Sequence, residues 1–218
     1  MRRPLLIAYA GAGLLAPILF TTLVVVQGSL QPDYDHVAMP ISALAAWPLG
    51  WLQNVNFYVF GTLMVAFALA LHGTIRPTKY GAGGIAILLL SGVGIVLAGV
   101  FPWVRINDAP TETPGHVVGA VMTFLGAGIG LVVVSRRMRS DARWSNLARY
   151  VLGSGITVLV LFVVMGAFAI DDGAPLHPWT GLLQRAVLAV WFPCVIVTAL
   201  RALRIAHTRP RVATAPIA

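Results

Sequence analysis

Three of the five histidines in this chain lie in short polar stretches that also hold carboxylates. The pairs are Asp35 with His36, Asp108 with His116, and Asp172 with His177. Because an imidazole titrates near neutral pH, such groups could bind a divalent metal, relay protons, or act as acid and base on a lipid headgroup. The sequence contains neither His-x-x-x-His nor His-Glu-x-x-His, so we predict no metal and no cofactor. The alternative is that these side chains only cap helix ends, where the helix dipole favours an acid at the N-terminus.

A second group of polar side chains lies inside or beside apolar runs, where polar groups are costly in lipid. Arg185 comes six residues after Trp179, roughly 9 Å along a helix. It keeps its proton, so it must either snorkel outward or pair with a carboxylate or a bound anion, and Asn54 and Asn56 could add hydrogen bonds there. Ser42 would be a nucleophile if a base lay beside it. No Gly-x-Ser-x-Gly turn surrounds Ser42, so a capping or packing role is the alternative.

The elements that must position these residues follow from the composition. The chain has 218 residues, of which 58% are hydrophobic and 10% charged, whereas a soluble domain carries about 25% charged residues. About 20 apolar residues cross the hydrocarbon core as a helix. Six such runs occur, at residues 5–26, 49–71, 81–101, 116–134, 151–170 and 179–202. We therefore predict an all-α integral membrane protein, a six-helix bundle spanning residues 1–206, with a disordered tail at 207–218.

The charges divide the connections between these runs into two sets. Nearly all the basic residues lie at 2–3, 76–79, 136–149 and 201–211, whereas six of the seven acids lie in the other connections. We call these two sides the basic end and the acidic end. By the positive-inside rule, the basic end and both termini face the cytoplasm. The net charge of +8 is therefore explained by orientation in the membrane, and we predict no nucleic-acid partner. Membrane lipids are the expected partners, and anionic lipid could bind at Arg136, Arg137, Arg139 and Arg143.

The connections that follow the third and fifth runs resemble each other. The first reads Gly99-Val100-Phe101 and then reaches Asp108 and His116, while the second reads Gly166-Ala167-Phe168 and then reaches Asp172 and His177. The first connection of the acidic end also holds an acid and a histidine. This pattern predicts three similar helical hairpins that run in the same direction, a parallel internal repeat.

Several of these motifs together resemble a family of bacterial and archaeal membrane proteins known only as domain of unknown function 998. The resemblance covers nearly the whole chain. Its motifs are Asp35-His36, Pro40-Ile41-Ser42, Asn56-Phe57 with Gly61, and Gly99-Val100-Phe101-Pro102 leading to Asp108 and His116. It implies a six-helix protein of this length, and it implies no activity.

The clustering of ionisable groups at the acidic end leads to our functional hypothesis, a polar pocket open to the outer face. It would bind or transport a lipid headgroup or a small polar ligand. Its candidate lining is Asp35, His36, Ser42, Asn54, Asn56, Asp108, His116, Asp172, His177 and Arg185. Two alternatives stay open, a membrane-embedded hydrolase or transferase that uses the same Asp/His cluster, and an accessory subunit of a larger complex. The expected location is the cell membrane, as a multi-pass protein of a prokaryotic inner membrane, and the sequence does not indicate an oligomeric state.

Overall fold

Six long helices make up most of the protein, whose computed structural model describes residues 1–208. Each is long and apolar enough to cross a membrane. They are α1 Arg3–Ser29, α2 Gly50–Thr74, α3 Gly83–Val100, α4 Pro114–Arg139, α5 Ala148–Phe168 and α6 Thr180–Thr208. The predicted six-helix membrane bundle is confirmed. Most helices begin or end a few residues outside the predicted runs, because polar residues such as Arg136 and Arg139 continue the last turns beyond the apolar stretch.

The helices form a ring in which each packs against its neighbours in sequence and α6 closes against α1. In addition, α2 touches α6 across the ring. Aromatic side chains fill the space between α1, α2 and α6, where the rings of Phe20, Phe60 and Phe192 lie 4.7–5.8 Å apart between centroids. Trp191, also on α6, packs edge-on against Phe60. The core between these three helices is therefore aromatic.

The closest helix pair is α3 with α4, and glycine makes this approach possible. A Cβ atom at Gly94 would lie 2.8 Å from the carbonyl oxygen of Gly119 and 2.9 Å from the backbone nitrogen of Thr123. A Cβ atom at Gly119 would lie 2.7 Å from the backbone nitrogen of Ala98. Since lipid supplies no hydrophobic force between helices, such backbone contact is a main source of attraction between membrane helices.

The three connections at the acidic end have different backbones. The first contains a 3-10 helix, Ile41–Ala46, and the third a short one, His177–Trp179. The second is an antiparallel hairpin of β1 Val104–Ile106 and β2 Ala109–Thr111. The likeness between the second and third connections therefore does not extend to their structure, and the repeat of three hairpins stays a prediction.

The sequence predicted an all-α protein without strands, so the short hairpin is a correction to that prediction. Its turn consists of Asn107 and Asp108, with φ angles of 50° and 62°. Two successive left-handed residues form the type I′ turn that suits a two-residue hairpin, and Asn and Asp tolerate this conformation better than most side chains. The strands have three residues each, too few to show an alternating pattern.

At the basic end, an ion pair between the buried Asp141 and the partly exposed Arg143 holds the connections together. Asp141 accepts hydrogen bonds from the Arg143 guanidinium at 2.7 Å and from the backbone N–H of Arg76 at 2.9 Å. Arg137, predicted as a lipid contact, is buried and donates to the carbonyl oxygens of Ile75 and Arg76. The guanidinium groups of Arg137 and Arg143 therefore fix the α2–α3 connection, because they bond to its carbonyls and to Asp141. Anionic lipid at the exposed Arg136 and Arg139 stays a prediction.

The end of α6 corrects the predicted start of the tail. The helix runs through His207 to Thr208, so the first two residues of the predicted tail are helical. The remainder, 209–218, lies outside the described residues.

Candidate functional site

Arg185 lies one and a half turns into α6 and directs its guanidinium at the first connection of the acidic end. One terminal nitrogen, Nη1, donates to the carbonyl oxygens of Gly181 at 2.9 Å and Met39 at 3.2 Å. The other, Nη2, donates to the Tyr34 hydroxyl at 2.9 Å and lies 3.3 Å from Nδ1 of His36. All these partners are uncharged when the His36 imidazole is in its neutral form. Within residues 1–208, no carboxylate lies within 4.0 Å of this guanidinium, so its charge is not neutralised by an ion pair.

The loop that receives Arg185 is bound tightly to the start of α6. The N–H groups of Gly181 and Leu182 donate to the carbonyls of Ala38 and Val37, at 3.3 and 2.9 Å. Helix N-termini leave such donors unpaired, and here the loop satisfies them. Gly181 is required because a Cβ atom there would collide with the Met39 carbonyl. Nearby, Gln184 accepts the N–H of Ile41 through its Oε1.

Asp35 shapes the same loop rather than pairing with Arg185. Its Oδ1 accepts the backbone N–H groups of Val37 at 2.7 Å and Ala38 at 3.2 Å. These two hydrogen bonds lower the pKa of the Asp35 carboxyl below its usual range. Burial raises the pKa of Tyr34 despite the nearby guanidinium. At neutral pH the tyrosine is thus a neutral acceptor for Arg185.

Beside this loop lies a partly open chamber of about 50 Å³. Most of its wall is apolar, but Ser42, His116, Gln184 and Thr123 contribute polar groups to it. The indole N–H of Trp191, which also lines the chamber, is buried and has no partner within residues 1–208. A water molecule needs about 10–15 Å³ and two or more polar partners. The chamber is therefore large enough, and polar enough, for a small hydrogen-bonding group.

His116 is held in one orientation at the chamber wall. Its Nδ1 lies 2.9 Å from the Ala98 carbonyl and 3.1 Å from the Phe101 carbonyl. Carbonyl oxygens only accept, so Nδ1 carries the hydrogen and Nε2 of the neutral ring holds a lone pair. Glu112, whose carboxyl oxygen lies 4.0 Å from this Nε2, has a pKa that burial raises.

A larger cleft of about 690 Å³ lies beside the chamber, between α1 and α6. Its walls are almost wholly apolar, and Arg185 is its one charged lining residue. Several lining residues, among them Ile18 and Val25, are more than half exposed. Because these residues lie in membrane-spanning segments, the cleft opens sideways into the bilayer. Phe20, Ile41 and Leu188 line both the cleft and the chamber, so the two spaces adjoin.

Comparison with known proteins decides the family. A family model described as a protein of unknown function, DUF998, matches residues 14–201. The chain belongs to the DUF998 family. A search of curated proteins and a search of solved structures each gave no match.

This DUF998 protein does not gather all the predicted site residues into one pocket. Asp108 is exposed at the tip of the hairpin, where its carbonyl accepts a hydrogen bond from Arg105. Asp172 is fully exposed and lies 3.8 Å from His177, which bonds instead to the Ala169 carbonyl of its own connection. Each connection is satisfied locally, which is why these three residues stay apart from Arg185. No three His, Cys, Asp or Glu side chains of the described chain come together as a metal ion would need.

The other predicted residues fall around two adjoining spaces. His36 and Arg185 meet at the head of the cleft, and Asp35 supports their loop. Ser42 and His116 line the chamber but share no hydrogen bond, so the hydrolase alternative lacks a nucleophile in direct contact with a base. Asn56 donates to the Phe20 carbonyl and to Gln53. Asn54 is half-buried, and its side-chain oxygen has no hydrogen-bond partner among residues 1–208. Both asparagines are outside the residues that line these spaces.

Two residues of the candidate site in this DUF998 protein, Tyr34 and Trp191, were not predicted from the sequence. Tyr34 precedes the Asp35-His36 pair; it is buried, and its hydroxyl accepts a hydrogen bond from Arg185. Trp191 lies seven residues after Gln184, which puts the two on one face of α6. That spacing was a usable signal, whereas the missing indole partner is visible only in three dimensions.

Proposed function

We propose that this protein binds a membrane phospholipid in the cleft between α1 and α6, with the phosphate on Arg185 and an acyl chain against the apolar walls. The observation that carries the proposal is the Arg185 guanidinium, a charge without an ion pair at the head of a cleft that opens into the bilayer. The four terminal N–H groups of Arg185 already have protein acceptors. A phosphate would therefore be held by the uncompensated positive charge and by the remaining Nε–H donor.

The dimensions of the cleft support a lipid as the occupant. Its lining on α6 extends from Arg185 to Ile196, eleven residues, or roughly 16 Å of helix. The hydrocarbon core of a bilayer is about 30 Å thick, so the cleft matches the depth of one leaflet. A charged group at one end and an apolar wall of this length fit a phospholipid better than a small polar solute.

The charge distribution also supports an orientation. If the basic end faces the cytoplasm, the cleft belongs to the outer leaflet. A membrane-impermeant maleimide applied to intact cells should then label a cysteine placed at the fully exposed Asp172. Labelling from the cytoplasmic side alone would contradict this orientation.

Substitution of the cationic side chain tests the proposal. For Arg185→Gln, purified in detergent, we expect phosphatidylglycerol to bind about 10-fold or more weakly, because a hydrogen bond to a charged group contributes about 1.5–3 kcal/mol. Arg185→Lys should retain part of the affinity, since it keeps the charge but not the planar donors. Native mass spectrometry of lipid titrations gives the dissociation constants.

The matched control is Arg149→Gln, which removes an exposed arginine at the basic end that is not among the predicted anionic-lipid contacts. We expect its lipid affinity to equal that of the unmodified protein. The proposal fails if Arg185→Gln leaves the dissociation constant unchanged, or if the two variants lose affinity equally.

A further inference from the structure

We infer that the chamber binds the carbonyl oxygen of a fatty acyl ester, so that the lipid in the cleft is selected for ester linkages. This inference rests on the proposed lipid binding and names the chemistry that would be recognised. The chamber and the cleft adjoin through only three side chains, those of Phe20, Ile41 and Leu188. The ester carbonyls are the first polar groups below the phosphate of a glycerophospholipid. A phosphate on Arg185 therefore brings them close to this wall.

The chamber offers hydrogen-bond donors that lack acceptors. Trp191 is only 1% exposed, and its indole N–H has no hydrogen-bond partner within residues 1–208. The Ser42 hydroxyl has no hydrogen bond to another described residue. Gln184 uses its Oε1 for the N–H of Ile41, which leaves its amide N–H₂ as a donor. A buried N–H normally has a partner, so the unpartnered indole N–H of Trp191, with Ser42 and Gln184 in the same lining, indicates an acceptor that enters from elsewhere.

These three donor residues all line the chamber. Gln184 and Trp191 are seven residues apart and lie on one face of α6. Both residues line the chamber, as does Ser42, whose neighbour Ile41 is bonded to Gln184.

The lining also defines the charge of the group. It includes no carboxylate, lysine or arginine, so a charged group would enter without a counter-ion, at a high cost in a medium of low polarity. A neutral oxygen acceptor of small volume fits instead. An ester carbonyl meets this description, whereas an ether linkage lacks this projecting oxygen.

A comparison of two lipids tests the inference. The probes are phosphatidylglycerol with two ester-linked chains and its analogue with two ether-linked chains of equal length. We expect the purified protein to bind the ester lipid about 10-fold more tightly, because a site built to hydrogen-bond a group discriminates against an analogue that lacks it. For Trp191→Phe we expect the preference to fall to within about 2-fold while the ether lipid binds as before.

Two further variants complete the experiment. Trp144→Phe changes another fully buried tryptophan, at the basic end, and should keep the ester preference. Ser42→Ala removes only one hydroxyl and replaces Trp191→Phe as the test if the latter does not fold. Its ester preference should likewise fall to within about 2-fold. Equal binding of the two lipids by the unmodified protein would overturn the inference while leaving the cleft proposal intact. An unchanged ester preference in both Trp191→Phe and Ser42→Ala would also overturn the inference, because the chamber would then hold only water. Binding of neither lipid would instead contradict the proposed function itself.

Discussion

Arg185 shows how a membrane helix carries a charge about 9 Å from its end. Its four acceptors are supplied by α6 itself and by the loop at residues 34–39. The depth of this residue made it a candidate from the sequence alone. Its partners did not follow from the sequence, because Tyr34 lies 151 residues away and no local pattern joins the two. The predicted pairing with a carboxylate is not formed, since Asp35 is held by its own loop.

Asp141 allows a prediction at the scale of a single residue. Although burial opposes ionisation, hydrogen bonds from the side chain and backbone of Arg143 and from the Arg76 N–H lower the pKa of Asp141 to about 2. An unfolded aspartate titrates near about 3.9. The stability from this carboxylate is therefore complete above about pH 4 and is lost as the pH falls through about 2.

We expect Asp141→Asn to lower the free energy of unfolding by about 2 kcal/mol at pH 7, a difference that shrinks below about pH 4. Thermal unfolding in detergent across this pH range provides the measurement. Asp171→Asn, at an exposed acid of the opposite end, is the control and should have little effect. An equal loss at pH 7 and pH 3 for Asp141→Asn would contradict the role assigned to the charge.

At the scale of elements, the helices followed from composition because each must satisfy its own backbone hydrogen bonds in lipid. The small elements of the acidic end did not. The hairpin at residues 104–111 depends on the left-handed turn at Asn107 and Asp108, which a single Asn-Asp pair indicates only weakly. This turn also carries Asp108 away from the predicted pocket. The Ser42 segment forms a 3-10 helix whose place is set by Gln184.

The packing of α3 on α4 gives the prediction for elements. Gly94→Ala should lower the free energy of unfolding by about 1–3 kcal/mol, because the added methyl overlaps backbone atoms of α4 that cannot move independently. Gly153→Ala on α5 is the matched control, since a Cβ atom there meets nothing within 4 Å. It should leave stability unchanged or raise it by up to about 1 kcal/mol, as alanine favours a helix. Similar losses in both variants, measured by thermal unfolding, would contradict this packing.

At the scale of the whole molecule, the ring of six helices closes at α1 and α6, and the cleft lies at this junction. The sequence predicted a polar site near the acidic end but placed it as one pocket facing water. The structure instead gives an apolar cleft facing lipid and, beside it, a small, mostly apolar chamber that holds a few polar groups. Sequence patterns could not distinguish these arrangements, since the cleft joins the first and last helices, and its walls are ordinary membrane-spanning residues.

The most direct test of lipid binding at this junction is photo-crosslinking in vesicles. The probe is phosphatidylglycerol with a diazirine midway along one acyl chain, and peptide mass spectrometry maps the adducts. We expect adducts to concentrate on residues 17–25 of α1 and 189–196 of α6, which line the cleft. In Arg185→Gln these adducts should fall several-fold, while those on Val160 and Val163, exposed residues of α5, stay the same. Adducts spread evenly over α1, α5 and α6, or unaffected by Arg185→Gln, would contradict the account.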